Sequence, residues 1–274
     1  MLGVSYYILS GAMRFIRKFG NYKIISRNLS GAIAARILRA YGLLATIPFR
    51  FWKNKVVEPE HVSHSCWIDY LSKQFNEKGV RILEIGSRNV TGTNLRGHFS
   101  NAEYTGFDFY PGENVDVVGD VHILSSYFQE AEKFDLIYSS AVFEHLYMPW
   151  VAAQEIQKLL KLGGYIFVET HFSHSSHARP WNFFQFSDMG LKVLFNQALG
   201  FEVIDSGMSN PLCGYFSHRA DGRLRYRPVM ELYCHSEIFC RKISEPVEFE
   251  WRNVNKADLV GKSRYPNNQG NSFK

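Results

Sequence analysis

From Glu58 onward the chain repeats one unit: a short apolar run, a polar turn, then a stretch with helical spacing. Strands are expected at residues 80–85, 102–109, 115–118, 134–139, 165–169 and 201–205, with a seventh inside 231–243. Helices are expected at 60–75, where Trp67, Leu71 and Phe75 recur every four residues, at 148–162 and at 187–199. Pro149 suits the first turn of the second helix, Gly163 and Gly164 would stop it, and Ser187 is the expected N-cap of the third. Apolar strands alternating with helices imply an α/β fold: a seven-stranded, mostly parallel sheet with helices on both faces. In such sheets ligands bind beyond the carboxyl ends of the strands.

The first 57 residues differ in kind. They contain no Asp or Glu, yet carry Arg14, Arg17, Lys18, Lys23, Arg27, Arg36, Arg39, Arg50, Lys53 and Lys55. The formal charge of +5 therefore joins a basic arm to a mildly acidic body. Residues 32–44 fit a helix with Ile33, Ile37 and Leu38 on one side and Arg36 and Arg39 nearby. No apolar run reaches the roughly 18 to 20 residues of a spanning helix. Three readings stay open for this basic helical arm: a segment lying on an anionic membrane surface, an extension packed on the body, or an Arg-rich transit peptide. No nucleic-acid partner is expected, because no recognised module accompanies the charges. Three regions follow: the arm (1–57), a body (58–245) and a polar tail (246–274) expected to be loosely ordered. Cys66, Cys213, Cys234 and Cys240 form no C-x-x-C pair, and thiols so scattered suit a reducing compartment. The expected location is the cytoplasm, with peripheral membrane attachment as the arm's alternative.

Several segments carry chemistry. VRILEIG (80–86) sets a carboxylate, Glu84, in an apolar strand and follows it with Gly86. YTGFDFY ends a strand on Asp108, and Gly119-Asp120-Val121 follows the next. FDLIYSSAVFEHL (134–146) and LLKLGGYIFVE (159–169) complete the series. In that order and spacing the segments resemble motif I, the second-strand acid, the adenine-side acid, the fourth-strand motif and the LKPGG turn of the class I S-adenosylmethionine-dependent methyltransferases. The resemblance spans about residues 60–243. It implies a Rossmann-like fold, S-adenosylmethionine as cofactor and a methyltransferase activity.

The resemblance also assigns roles. Gly86 lets the backbone approach the cofactor's methionine portion, and a helix N-terminus beyond it would favour the carboxylate. Glu84 organises the turn and meets the cationic amino end. Asp108, with Phe109 beside it, accepts from the ribose hydroxyls. Asp120 accepts from the adenine amine, with the Val121 N–H alongside, and Ser139 lies at the end of the fourth strand. Two positions depart from the family pattern. Ser87 and Arg88 stand where a second glycine is usual, so their side chains would contact the cofactor, and Leu162 replaces a proline. The missing glycine also disfavours a dinucleotide enzyme, which needs G-x-G-x-x-G.

Methyl transfer to a hydroxyl requires an aligned acceptor and a base. Glu144 and His145, after the fourth strand, and His171 and His177, after the fifth, are the candidates. His174 stands between them in ETHFSHSSHARPWNFFQFS. That segment resembles the H-x-x-P-x-[DN]-F-F-[RQ]-[FY]-[ST] stretch of bacterial methyltransferases linked to sugars and cell-surface polymers. Without a helix to align the histidines, and with Pro180 close behind, no metal is expected. Trp181, Phe183, Phe184 and Phe186 either enclose the acceptor or pack in the core. The expected function is methylation, on oxygen, of a small-molecule, glycan or lipid-linked acceptor. The alternative is a catalytically silent methyltransferase-like module at a membrane surface.

Overall fold

The computed structural model describes residues 29–47, 49, 56–90, 92, 94–129, 133–261 and 263. The chain divides into two compact units, Met1–Lys53 and Asn54–Lys274. In the first, helix α1 (Leu29–Thr46) contains the expected 32–44 segment. Arg36, Ile37, Arg39, Tyr41, Leu43 and Leu44 are all exposed on it. Among the described residues no helix is long and apolar enough to cross a membrane. The basic residues up to Arg27, together with Arg50, Lys53 and Lys55, lie outside the described residues, as does the end of the polar tail.

The second unit holds the sheet. Its strands are β1 (Arg81–Ile85), β2 (Glu103–Asp108), β3 (Val117–Val118), β4 (Phe134–Ser140), β5 (Leu160–His171), β6 (Phe201–Tyr215) and β7 (Pro228–Lys242). They lie in the order β3-β2-β1-β4-β5-β7-β6. Strands β1 to β5 are mutually parallel, and β7 runs antiparallel between β5 and β6. The mostly parallel seven-stranded sheet is thus as expected.

Alternation along the strands divides the core into two faces. Helix α2 (Trp67–Phe75) buries Trp67, Leu71 and Phe75 against Ile82, Leu136, Tyr138 and Phe167. Helices α3 (Pro149–Leu159) and α4 (Asp188–Leu194) cover the other face, with Ile156 and Leu191 among Leu83, Ile137, Ile166 and Ile238. Leu71 has no exposed surface; truncating such a leucine to alanine costs about 2–5 kcal/mol.

Local chemistry moves several boundaries. The expected helix at 60–75 starts only at Trp67, because the Asp205 carboxylate takes the N–H groups of Glu60 (3.3 Å) and His61 (2.8 Å). The helix expected to 162 ends at Leu159. Buried Lys242 donates from Nζ to the carbonyls of Gln157 (2.7 Å) and Leu160 (2.9 Å), satisfying the helix end. Gly163 and Gly164 are therefore no helix stop. They lie inside β5, where the register against β4 shifts. Ser187 caps α4 by accepting from Gly190 N at 3.1 Å. Asn196 then accepts from Leu199 N, and a separate 3-10 turn, Gln197–Leu199, replaces the rest of the expected helix.

Strand β6 runs ten residues beyond the expected end at Asp205, paired throughout with β7. Its Gly207, Pro211 and Gly214 disguise it as a loop in the sequence. The tail is not loose over its first half. Phe249 and Trp251 pack against the core, Trp251 Nε1 donates to Gln154 Oε1 (3.2 Å), and Asn255 caps helix α5 (Lys256–Val260).

Candidate active site

The turn after β1 is built from backbone. Gly86 N (2.8 Å) and Ser87 N (3.1 Å) both donate to the carbonyl of Phe107. Gly86 adopts φ +87°, and a Cβ there would stand 2.2 Å from Val142 Cγ2. Glycine is thus demanded twice, by conformation and by the close approach of the segment after β4. Ser139 is fully buried, and its hydroxyl donates to the Ile85 carbonyl at 3.1 Å. It braces the turn and spends its one hydroxyl donor there. No helix follows this turn among the described residues; only a 3-10 turn, Arg96–Phe99, appears. Asn89 Oδ1 accepts from Gly92 N (2.8 Å), closing a local turn that competes with helix formation. The expected helix N-terminus behind the cofactor's carboxylate is therefore absent there.

Register brings the acids together. Ile85 pairs with Phe107, and Asp108 with Val118, so Gly86, Asp108 and Asp120 leave the carboxyl ends of three adjacent strands. Asp108 accepts from Tyr110 N through Oδ1 (2.9 Å) and from Arg88 N through Oδ2 (3.3 Å). A carboxylate has about four acceptor sites, so two backbone donors leave room for ribose hydroxyls. Arg88 crosses the same acid, with Nε 3.4 Å from Oδ1, and lies over the Tyr110 ring. Phe109 is exposed beside them. Asp120 Oδ1 accepts from His122 N (2.9 Å) and His122 Nδ1 (2.6 Å), while Val121 is buried at the start of the next turn. Met148 N donates to His122 Nε2 (3.3 Å), which places the imidazole proton on Nδ1, toward Asp120. His122, absent from the expected site, was signalled only by its position two residues after Asp120.

Glu84 is buried and accepts from Tyr104 OH; Tyr138 OH lies 2.6 Å from that hydroxyl. Burial raises its carboxyl above the usual range, against the pull of the two tyrosines. Glu84 thereby ties β1 to β2 and β4.

The residues present fit S-adenosylmethionine. Ser87 Oγ is buried without a hydrogen-bond partner, and both acids keep unused lone pairs above a turn that leaves no room for a side chain. Two surface hollows, one lined by Lys192, Asn196 and Glu202 and another by Ser125, Lys133 and Glu245, contain none of these residues.

Beside this turn the structure gathers all four expected catalytic residues. Glu144 has no exposed side-chain surface, and its Oε1 lies 2.6 Å from His171 Nδ1, 3.8 Å from His145 Nε2 and 3.9 Å from His177 Nε2. Thr170 Oγ1 donates to the other oxygen at 2.6 Å. Burial works to raise the Glu144 carboxyl, but His171 and Thr170 outweigh it and hold it low. His145 Nδ1 donates to the Trp181 carbonyl at 2.7 Å, leaving Nε2 as the acceptor. His174 stacks on His171 with ring centroids 4.1 Å apart. Burial, then His171, lowers its affinity for a proton.

A second polar group adjoins from β7 and from the segment before α2. His64 Nδ1 pairs with Glu169 Oε2 at 2.8 Å, and that bond raises the imidazole's basicity. His235 stacks on His64 at 4.0 Å, and burial takes it down to about 4. Sequence reasoning missed His235 because β7 enters the site antiparallel, from far along the chain, and His64 because its partner Glu169 lies more than a hundred residues away. Of the aromatic run, Phe186 is core, whereas Trp181, Phe183 and Phe184 are exposed. Phe183 N (2.8 Å) and Phe184 N (3.2 Å) donate to the Glu144 carbonyl, fastening that run over the histidines.

Comparison with known proteins gives the same identity. The family described as a methyltransferase domain matches residues 60–205. No curated protein sequence gives a significant match. Among solved structures, an S-adenosylmethionine-dependent methyltransferase from Archaeoglobus fulgidus aligns at 16% identity over 65% of this chain and 96% of its own, with a TM-score of 0.45. The 1,6-didemethyltoxoflavin-N1-methyltransferase of Burkholderia thailandensis, solved with bound 1,6-didemethyltoxoflavin and S-adenosylhomocysteine, aligns at 16% identity over 65% and 76%, with a TM-score of 0.44. With its family match covering more than half of the sequence, the chain belongs to the methyltransferase-domain family, the class I enzymes whose cofactor is S-adenosylmethionine.

Proposed function

We propose that the protein methylates a hydroxyl of a polar small-molecule, glycan or lipid-linked acceptor. One observation carries this reading: Gly86, in the cofactor turn, lies against Val142, two residues before the Glu144–His145 pair. Methyl donor and base therefore share one wall. S-adenosylmethionine supplies a methyl group on a sulfonium centre, open to in-line attack. Asp108 accepts from the ribose hydroxyls, Asp120 from the adenine amine, and Ser87 Oγ and Glu84 serve the methionine end. His145, with its proton fixed on Nδ1, presents Nε2 to the acceptor hydroxyl and takes its proton. Glu144 balances that charge without exposure to water. Trp181 and Phe183 offer flat apolar faces on which an acceptor ring could rest. The test is transfer of a radiolabelled methyl group to glycan and lipid extracts, with mass analysis of the product. No labelled product from any pool, with cofactor binding intact, would overturn this reading.

A second reading is favoured by Arg88 lying across Asp108: a silent module whose own guanidinium occupies the ribose acid. It predicts no heat with S-adenosylhomocysteine at high micromolar concentration. In either case we propose that the arm, with its exposed apolar and arginine side chains on α1, rests on anionic lipid.

A further inference from the structure

We propose that His171, His174 and His177 form a three-histidine site for a divalent transition metal, with zinc the best match, at the carboxyl end of β5. One ring nitrogen from each of the three lies within 4.8 Å of the other two. Ligands about 2.0–2.1 Å from a tetrahedral zinc lie roughly 3.4 Å apart. Closing the difference takes about 1 Å of side-chain movement. His174, exposed on the loop after β5, has the freedom to supply it.

The protons stand where a metal site needs them. His171 Nδ1 faces the Glu144 carboxylate at 2.6 Å. His174 Nδ1 (3.2 Å) and His177 Nδ1 (3.0 Å) both face the Ser175 carbonyl. A carbonyl oxygen only accepts, so His174 and His177 carry their protons on Nδ1 and keep the Nε2 lone pair for an ion, while His171 faces a carboxylate that can hold its Nδ1 proton. Glu144, buried and gripped by Thr170, makes the carboxylate–histidine–metal relay that fixes ring orientation and strengthens the ligand. The same Oε1 stands 3.9 Å from His177 Nε2, so one buried carboxylate serves two of the three histidines. Three neutral nitrogens leave one tetrahedral position open, the pattern of catalytic rather than structural zinc. His145, the base of the function proposed above, adjoins the trio, with its ring centroid 4.9 Å from that of His177. Ion binding itself does not depend on that reading.

The full chain, free of any purification tag and stripped with chelator, is titrated with Zn²⁺ by calorimetry and with Co²⁺ by visible absorption. Expected are one ion per chain and the d–d bands of a four-coordinate cobalt centre. His174→Ala and His177→Ala should each weaken zinc binding at least about tenfold, and Glu144→Gln by roughly 10–100-fold. S-adenosylhomocysteine binding, measured in parallel, should be unchanged in the two histidine variants and reports that they are folded. Absence of stoichiometric uptake by folded wild type overturns the proposal, as does a His174→Ala/His177→Ala double variant that binds zinc as tightly as wild type. Loss of S-adenosylhomocysteine binding with zinc uptake intact would strike the cofactor assignment and leave the metal site standing.

Discussion

Arg88 Nε lies 3.4 Å from Asp108 Oδ1, so the acid that ends β2 is met by a cation of its own chain. The carboxylate is only partly spent, because its two backbone donors use about half its acceptor sites. Asp108→Ala should therefore weaken S-adenosylhomocysteine binding by about 1.5–3 kcal/mol per lost charged hydrogen bond. Calorimetry checks this, and an unchanged affinity would remove Asp108 from the cofactor site.

His145 accepts at Nε2 because the Trp181 carbonyl holds its other nitrogen. Replacing it by alanine should lower the methyl-transfer rate about 10²–10⁴-fold, the usual worth of a positioned base. Cofactor affinity should not change. Initial rates across pH measure both points; a variant as fast as wild type would send the search for the base elsewhere.

Gly86→Ala sets a Cβ 2.2 Å from Val142 Cγ2 at a left-handed backbone position. A loss of about 1–3 kcal/mol is expected from each source, conformation and overlap. Adding Val142→Ala should restore only the overlap part. Denaturant unfolding of the two variants separates the contributions, and full recovery in the pair would show that backbone strain is negligible.

Burial, with Glu169 beside it, lifts Glu237 from 4.5 to about 8. Between those values the folded chain keeps a proton that the unfolded chain has released. Stability should therefore fall as pH rises through this window, by up to about 1.4 kcal/mol per pH unit from this group. Glu237→Gln keeps an acceptor for Ser209 and His64 N and should gain little below pH 4.5 and most above pH 8. Melting temperatures across that range test the sign; a gain confined to acid would contradict it.

Deleting residues 1–55 should release the protein from anionic vesicles and leave S-adenosylhomocysteine affinity nearly unchanged. Co-sedimentation measures the first and calorimetry the second. Equal vesicle binding by the shortened chain would end the membrane reading.

What was legible in the sequence followed from short-range chemistry. The strand-end positions of Gly86, Asp108 and Asp120, and the grouping of Glu144 with His145, His171 and His177, follow from parallel strands that deliver their carboxyl ends to one side. Features set by distant partners were hidden. Lys242 ends a helix more than eighty residues earlier, Asp205 unwinds the start of another, and His235 reaches the site on an antiparallel strand. Local periodicity contains none of these. The helix expected after Gly86 failed for a local reason, since Asn89 closes a turn of its own with Gly92.

The carbonyl of Trp181 holds His145, and the N–H groups of Phe183 and Phe184 hold the peptide of Glu144. In the function proposed above, the segment that would meet the acceptor is therefore also the hinge pin of proton transfer. Evolution, or a protein engineer, cannot trade this loop for another to change selectivity and expect the chemistry to idle unaffected. Successful swaps will be those that keep the main-chain path of residues 181–184 and vary only the side chains hung on it.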